Sequence, residues 1–591
     1  MKNNISVMKK YILGLGLLSM AMVSTTSCSD FFETESTHVI YANKSHLNVA
    51  SDTIYSMIGI LNRLQAIGDR TYLLGEVRGD LMDVTENTSS DLRDIAMFNV
   101  GDDNMYNVPR DYYAVINNCN YYIANADTTL KNNRNQYLFR AEFAAAKAIR
   151  AWTYLQLVTT YGRVPFVTEP ILTKEDAEKD YPMYDINQVC DYFLNEDGLY
   201  DLIETEYPKY GVIKSQASSF FFIPMALVLG DMNLWKGNYL MAAQCYYIYM
   251  RLVNGRSNIA YFPTGIQRVQ WMDNSWEGIS SSYLSGFQTG GSEIIFSIPG
   301  DSIPSEGYYS QLRSLMNSSA DNNYKVSLTP SKAIINLSAA QTYCLYNANT
   351  YIYAPKNLPD YYNGDLRLAA TWSKRDNKVN DAGERYTDQT IYKLTNGNIR
   401  MYRRQLVYLR FAEAMNRAGY PRYAYQILSS GLNNKIVSDS VLSVYRSERD
   451  SIVLTHFDFP NTRYGIYDPS FLSGTNTNTQ GIHSRGSGYS MHNEYYRMPM
   501  DTTITDSLAH IKWQIEQVEN MIVDEEALEF AFEGYRYSDL LRVALRRYNE
   551  GEIDYLEKKI KNRRGGEDTG ITVDLTDKHN WFLHWKGQIG Y

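Results

Sequence analysis

Histidine and cysteine are scarce: 8 and 5 residues in a chain of 591. The histidines show no HExxH or other ligand spacing, and the cysteines at 28, 119, 190, 245 and 344 form no CxxC pair. A structural zinc site needs such ligands at short fixed spacings, so none is indicated. Cys119, Cys190, Cys245 and Cys344 read as buried single thiols rather than a disulfide frame. A Walker loop, a GxSxG elbow and a strand-following G-x-G-x-x-G turn are also missing, which leaves nucleotide and serine-hydrolase chemistry without a motif. There is no basic stripe and the net charge is −9; nucleic acid, whose phosphates call for clustered Lys and Arg, is disfavoured. The paired carboxylates of a glycosidase are defined in space, so sequence leaves that chemistry open.

What is present describes a globular chain: 44% hydrophobic, 21% charged. Tyrosine is in excess, at 51 against 20 Phe and 8 Trp. An apolar ring with a polar rim suits wet recognition surfaces and also fills partly buried helices. At the N-terminus, Lys2, Lys9 and Lys10 precede the apolar run Tyr11–Val23, which falls short of the roughly 20 residues a membrane-spanning helix needs. Ser24–Ser27 then leads to Cys28. Small residues before a lone Cys resemble a lipobox, with Thr25 where Leu is usual; an ordinary secretory signal with an incidental Cys is the other reading. Acylation at Cys28 would anchor the chain stably if more than one acyl group were added. Residues 1–27 are thus expected to be a lipoprotein signal peptide and 28–50 a lipidated tether.

Most of the remainder carries the helical period. In Tyr137–Phe166, Leu138, Ala141, Ala145, Ile149, Trp152 and Leu155 share one face, small alanines let a second helix approach, and Gly162 and Pro165 end the helix. Further helices are expected over Ser51–Ile67, Asp103–Ala126, Ala217–Lys236, Leu240–Leu252 and Arg404–Ala418. The pair around Gly237-Asn238 resembles a tetratricopeptide hairpin whose period is not kept along the chain. In Asp524–Arg547, Glu529, Glu533, Arg536, Asp539 and Arg542 recur at three and four, the spacing of an ion-pair ladder along one helix. Gly75–Asn87 reads as a polar, carboxylate-rich loop. Residues 254–398 are rich in Ser, Asn, Gly, Tyr and Trp, with strand-like runs such as Glu293–Ile298.

Several of these stretches carry a resemblance. Leu138-Phe139-Arg140-Ala141-Glu142 with Trp152, Leu155 and Tyr161-Gly162-Arg163-Val164-Pro165 resembles the signature of the SusD/RagB family. So do Arg404–Ala418, and Glu529–Arg542 with its Phe-Glu-Gly-x-Arg core. The resemblance implies a mostly α fold: an irregular helical domain built on degenerate tetratricopeptide-like helix pairs, with a large loop-rich insertion carrying short strands. The expected regions are 51–253, helical; 254–398, the insertion, which holds ligand; and 399–591, C-terminal helices and loops. It further implies a surface-exposed outer-membrane lipoprotein that captures oligosaccharides for a SusC-like TonB-dependent β-barrel and breaks no bond. The alternatives are a RagB-like peptide ligand, a glycoside-cleaving enzyme, or a docking subunit without a ligand.

A sugar site wants flat aromatics beside amides and charges. The insertion offers Trp271, Trp276, Tyr283, Tyr308 and Tyr309, with Tyr361 and Tyr362, near Asp273, Asn274, Glu277, Gln311 and Arg313. Each ring alone serves equally well to anchor a loop; as a set, at least two are expected to face ligand. By order along the chain, the family resemblance adds Asp83, Asn87, Asp103, Asn104 and Tyr106. No cofactor is expected. Calcium at Asp80, Asp83 and Glu86 is a weaker option than a plain solvated acidic loop.

Overall fold

The computed structural model describes residues 47, 50–213, 216–252, 268–271, 276, 278–281, 283–287, 293–300, 308–347, 350–354, 358, 360–395, 397–445, 447–459 and 480–584. The export signal, Cys28 and most of the tether, like Asp273, Asn274 and Glu277, lie outside these residues. Three helices open the main body: α1 (Ala50–Glu76), α2 (Ser90–Ala96) and α3 (Pro109–Asn125), with the short strand β1 (Met82–Val84) after α1. Next come α4 (Arg140–Tyr161), α5 (Ile186–Asn195), α6 (Met225–Lys236) and α7 (Tyr239–Leu252). The insertion supplies β2 (Ile294–Ile298), β3 (Leu328–Pro330), α8 (Lys332–Ala340) and the ribbon β4 (Trp372–Val379)–β5 (Arg385–Ile391). Strand β6 (Ile399–Arg403) leads into α9 (Arg404–Arg417), α10 (Pro421–Ser429), α11 (Ser507–Phe530), α12 (Arg536–Asn549) and α13 (Tyr555–Lys561). Val49–Tyr591 forms one compact unit. The fold is mostly α, with strands only in small two-stranded sheets among the described residues.

Neighbouring helices pack as pairs, α3 on α4, α6 on α7 and α9 on α10, and the pairs join because α7 packs on α9 and both α9 and α10 pack on α11. In α4 the small residues do what their pattern suggested: Ala146, Ala148 and Ala151 are buried, and Trp152 meets Phe296 of β2 edge to face at 5.9 Å. Its end is set by Gly162, whose φ of +75° favours glycine and which closes on the Val158 carbonyl. Its start is later than expected. Arg140 is the first helical residue, and Leu138, assigned inward from spacing, is 42% exposed because it precedes the helix. The four described cysteines are buried free thiols.

The insertion is tied to the helices by β-pairing. Antiparallel β2–β6 joins 294–298 to the strand leading into α9, and antiparallel β1–β3 sets Met82 opposite Pro330 and Val84 opposite Leu328. A second tie is ionic. Helix α11 ends at Phe530, and the turn to α12 passes through Phe532 and Gly534, both at positive φ. The expected ladder along a single helix therefore breaks, and of its steps only Asp539 to Arg542, at 3.0 Å within α12, is kept. Glu529 instead binds Arg367 (2.8 Å) and Arg403 (2.7 Å), and Glu533 binds Arg403 (2.6 Å) and Lys393 (2.6 Å). Arg485 reaches Glu293 at 2.8 Å, Arg536 reaches Asp80 at 2.6 Å, and Arg542 reaches Glu413 at 2.6 Å. All of these side chains are buried, so each charge depends on its partner.

The stretch expected as a polar loop at 75–87 is largely interior too. Glu76, Arg78 and Asp80 are buried, and Glu76 belongs to α1. Its carboxylate accepts the backbone N–H groups of Phe532 (3.1 Å) and Gly534 (2.8 Å). Asp80 is committed to Arg536, and Asp83 to Arg564 at 2.7 Å. Those carboxylates are already neutralised by guanidinium groups, which removes them from the calcium option, and Glu86 alone is exposed.

Candidate functional site

The expected site residues fall in two places. Trp271, Trp276 and Tyr283 join a cluster inside the insertion, with Val269, Phe287, Tyr343 and Leu366. Trp271 is 3% exposed and Tyr283 fully buried. Tyr343 accepts the Trp271 backbone N–H at 3.1 Å, and Trp276 packs edge-on to Trp271 at 5.7 Å. Tyr283 lies under the Arg485 guanidinium, 4.7 Å from ring to cation, and donates to the Glu529 carbonyl. An aromatic stacking platform must offer a free face, and neither Trp271 nor Tyr283 does; for these two the expectation of ligand-facing rings is corrected. Trp276 is only half-buried, at φ +60°, an unusual conformation for a bulky residue. Among the described residues the buried indole N–H of Trp271 finds no hydrogen-bond partner.

The second group converges on Asp69 in α1. Its carboxylate accepts the Ser310 hydroxyl (2.5 Å) and the Gln311 backbone N–H (2.7 Å), while its own backbone N–H donates to the Tyr308 hydroxyl (3.4 Å). Burial raises the Asp69 carboxyl above its ordinary range, against the opposing pull of Ser310, Gln311 and Tyr308. Tyr106 is pushed up to about 12, by burial first and by the Asp69 and Asp91 charges after it. The Tyr308 phenol is raised by burial and by Asp69. Tyr106 and Tyr308, from segments two hundred residues apart, thus face the field of one carboxylate. Tyr308 is half-buried, while Tyr106 is only 7% exposed and, like Trp271, offers no free stacking face, which corrects that expectation too.

Local chemistry holds this surface in place. Arg70 donates to the Val108 carbonyl (3.2 Å) and to Asp111 (2.8 Å), pinning the loop that carries Tyr106. Asn104 binds the Asp91 carbonyl through its amide N–H (2.9 Å) and accepts the Tyr106 backbone N–H (3.0 Å). On the other side, the hydroxyls of Thr85 and Thr88 donate to the carbonyls of Val326 (2.6 Å) and Ser327 (2.5 Å), continuing the β1–β3 pairing. Asn87 is exposed there, and Asp83 is half-buried against Arg564. Tyr324, at φ +59°, packs on Tyr386 with ring centroids 4.4 Å apart and planes tilted by 34°, both half-exposed. Tyr309 is half-buried.

Sequence reasoning missed Asp69 and the Tyr324–Tyr386 pair. The apolar spacing of Ile54, Ile58 and Leu61 carries the first helix only to Ile67, and Gly68 follows. That glycine is a packing residue: a Cβ there would lie 2.7 Å from the Ile399 side chain, so the helix continues through it against β6. Tyr324 and Tyr386 meet only through the β4–β5 ribbon, and no local spacing announces that.

No family model matches the chain, and no curated protein matches it. Solved structures do. A SusD superfamily protein from Bacteroides thetaiotaomicron superposes with a TM-score of 0.52 at 15% identity, over 84% of this chain and 89% of that one. A SusD superfamily protein from Bacteroides vulgatus gives 0.52 at 14%, over 91% and 96%. A protein of the same species described as a SusD-like carbohydrate-binding protein gives 0.50 at 15%, over 84% and 83%. The fold is that of the SusD superfamily. At such identities the likeness speaks for the fold alone.

Proposed function

We propose that this chain is a glycan-binding protein that captures oligosaccharides and hands them, unbroken, to a SusC-like TonB-dependent transporter, from an outer-membrane surface position anchored at Cys28. The observation that carries the reading is the convergence on Asp69. There the insertion holding Tyr308, Ser310 and Gln311 is fixed to Asp69 of the first helix, a half-buried phenol and carboxylate beside an exposed amide, with the buried Tyr106 in the field of the same carboxylate, on a SusD-type scaffold. Tyr309, Asn87 and the Tyr324–Tyr386 pair lie on the same two segments and extend the candidate surface. The solved neighbour described as carbohydrate-binding supports the ligand class. Burial of Trp271 and Tyr283 removes two expected sugar platforms and so favours a second reading, in which the ligand is a peptide.

The test is native affinity electrophoresis of the chain lacking residues 1–28, through gels containing plant, fungal or host polysaccharides, beside a Tyr106→Ala/Tyr308→Ala variant. Retardation by a polysaccharide that the variant loses is the expected result. Retardation unchanged in the variant would move the site elsewhere. No retardation by any polysaccharide, with binding to peptides by titration, would replace the glycan with a peptide. Release of cleaved product would overturn the non-enzymatic reading.

A further inference from the structure

A separate groove of about 1120 Å³ opens between the ends of α4 and α6, the last turns of α12 and the segment 578–584. In a chain of net charge −9 its lining is rich in Arg and Lys and holds one carboxylate, Asp185. That carboxylate is already used, accepting the Gln188 backbone N–H at 2.9 Å as the N-cap of α5. Most of the cations are held from behind: Arg417 by Glu519 (3.1 Å), Arg542 by Glu413 (2.6 Å), Lys236 by Asp191 (2.6 Å) and Arg546 by Glu519 and Glu550. Three are not. Buried Arg78 donates to the carbonyls of Leu74 (2.9 Å) and Trp581 (3.4 Å), Arg163 donates to the Met183 carbonyl at 3.2 Å, and Lys578 rests over the Tyr548 ring at 5.2 Å; among the described residues none of the three makes an ion pair. The Nε–H of Arg546 is buried without an acceptor. Beside these cations stand the half-buried rings of Trp235 and Phe582 and the amides of Asn187 and Asn580.

We propose that this groove is a second binding site, for a sugar residue that carries a carboxylate. An ionised carboxylate is the ion-pair partner that Arg163 and Lys578, the two unpaired cations that are not buried, lack, and charge-assisted hydrogen bonds are the strong ones. The aromatic wall takes the apolar face of the pyranose, and the amides take its hydroxyls. A neutral sugar leaves the two cations unpaired, and a simple inorganic anion makes no use of the rings. The groove shares no residue with the surface around Asp69, so the two sites succeed or fail separately.

The experiment is isothermal titration of the full-length chain in detergent with galacturonate and glucuronate oligosaccharides, and with neutral gluco-oligosaccharides of equal length. Uronate binding is expected to weaken as salt rises, because exposed charges are screened. An Arg163→Ala/Lys578→Ala variant is expected to bind uronates more weakly by about tenfold or more, with unchanged thermal unfolding and unchanged dependence on Tyr106 and Tyr308 in gels. An Asn187→Ala variant, which leaves every cation in place, is expected to weaken uronate binding by a smaller factor. Failure of both uronates to bind the unaltered chain would overturn the proposal. So would equal binding of the neutral sugars, undiminished binding by the double variant, or equal displacement by citrate.

Discussion

The insertion meets the helices in two polar regions that behave in opposite ways. Around Glu529 and Glu533 every charge is buried and matched: Arg367, Arg403, Arg485 and Lys393 face Glu293, Asp365, Glu529 and Glu533. Around Asp69 burial is mixed: Asp69 and Tyr308 are half-buried, Tyr106 is buried, and the two phenols share one carboxylate. A buried ion network that has satisfied itself has nothing left to offer a ligand, and its removal costs the fold. A half-open surface held by backbone carbonyls keeps its side chains available. Polar residue type alone does not separate architecture from recognition; burial and the state of the partners do.

That contrast is broken most violently from the inside. Glu529→Gln leaves Arg367 and Arg403 without their shared carboxylate, and the expected loss is about 3–5 kcal/mol in urea unfolding. Trp271→Ala empties a fully packed site, with a loss of the same order, about 3–5 kcal/mol. Glycan retention by whatever fraction stays folded should be unaffected in both. Loss of binding without loss of stability in Trp271→Ala would return that residue to the site.

Acid supplies a gentler version. Salt-bridged by Arg485, Arg403 and Arg367 against the opposing cost of burial, Glu529 is lowered to about 2. A carboxyl whose folded value is depressed stabilises the fold above its ordinary value near 4.5, and that stability is lost as pH falls from there toward 2. The amount is about 3 kcal/mol. Glu76 has the opposite sign. Burial raises it to about 7 despite the N–H groups of Gly534 and Phe532, so its contribution is full below about 4.5 and lost as pH rises through 7. Unfolding free energies across pH 2–8 should show both limbs, and Glu529→Gln should flatten only the acid one.

The helices were legible because their signals are local. The face of α4, the glycine that ends it and the bounds of α9 all follow from spacing within a few turns. What could not be read is what depends on partners far along the chain. The residues from 524 to 547 have ideal ladder spacing, yet Phe532 and Gly534 break the helix, and apart from Asp539 with Arg542 the charges find their partners on other elements. Aromatic content could not say that Trp271 faces inward while Tyr308 reaches α1. Asp69 lies two residues past the expected end of the first helix, beyond a glycine that packs against Ile399.

The open surface should respond in binding and hardly in stability. Tyr308→Ala is expected to cost about 1–3 kcal/mol of glycan affinity, the range of an aromatic anchor, whereas Tyr106→Ala, at a buried ring, is expected to cost packing stability as well. Asn87→Ala is the mildest change and the sharpest test of where the surface ends. Its side chain is exposed and its backbone alone engages Thr85 and Ser327, so the fold should shift by less than about 0.5 kcal/mol. If ligand spans from Asp69 to the β1–β3 pairing, affinity measured by titration should still fall several-fold, since a lost hydrogen bond is worth about 1 kcal/mol. If affinity is untouched, the ligand stops short of Asn87. Recognition would then lie with the two tyrosines and Asp69, and Thr85–Ser90 would belong, like Glu529, to the architecture.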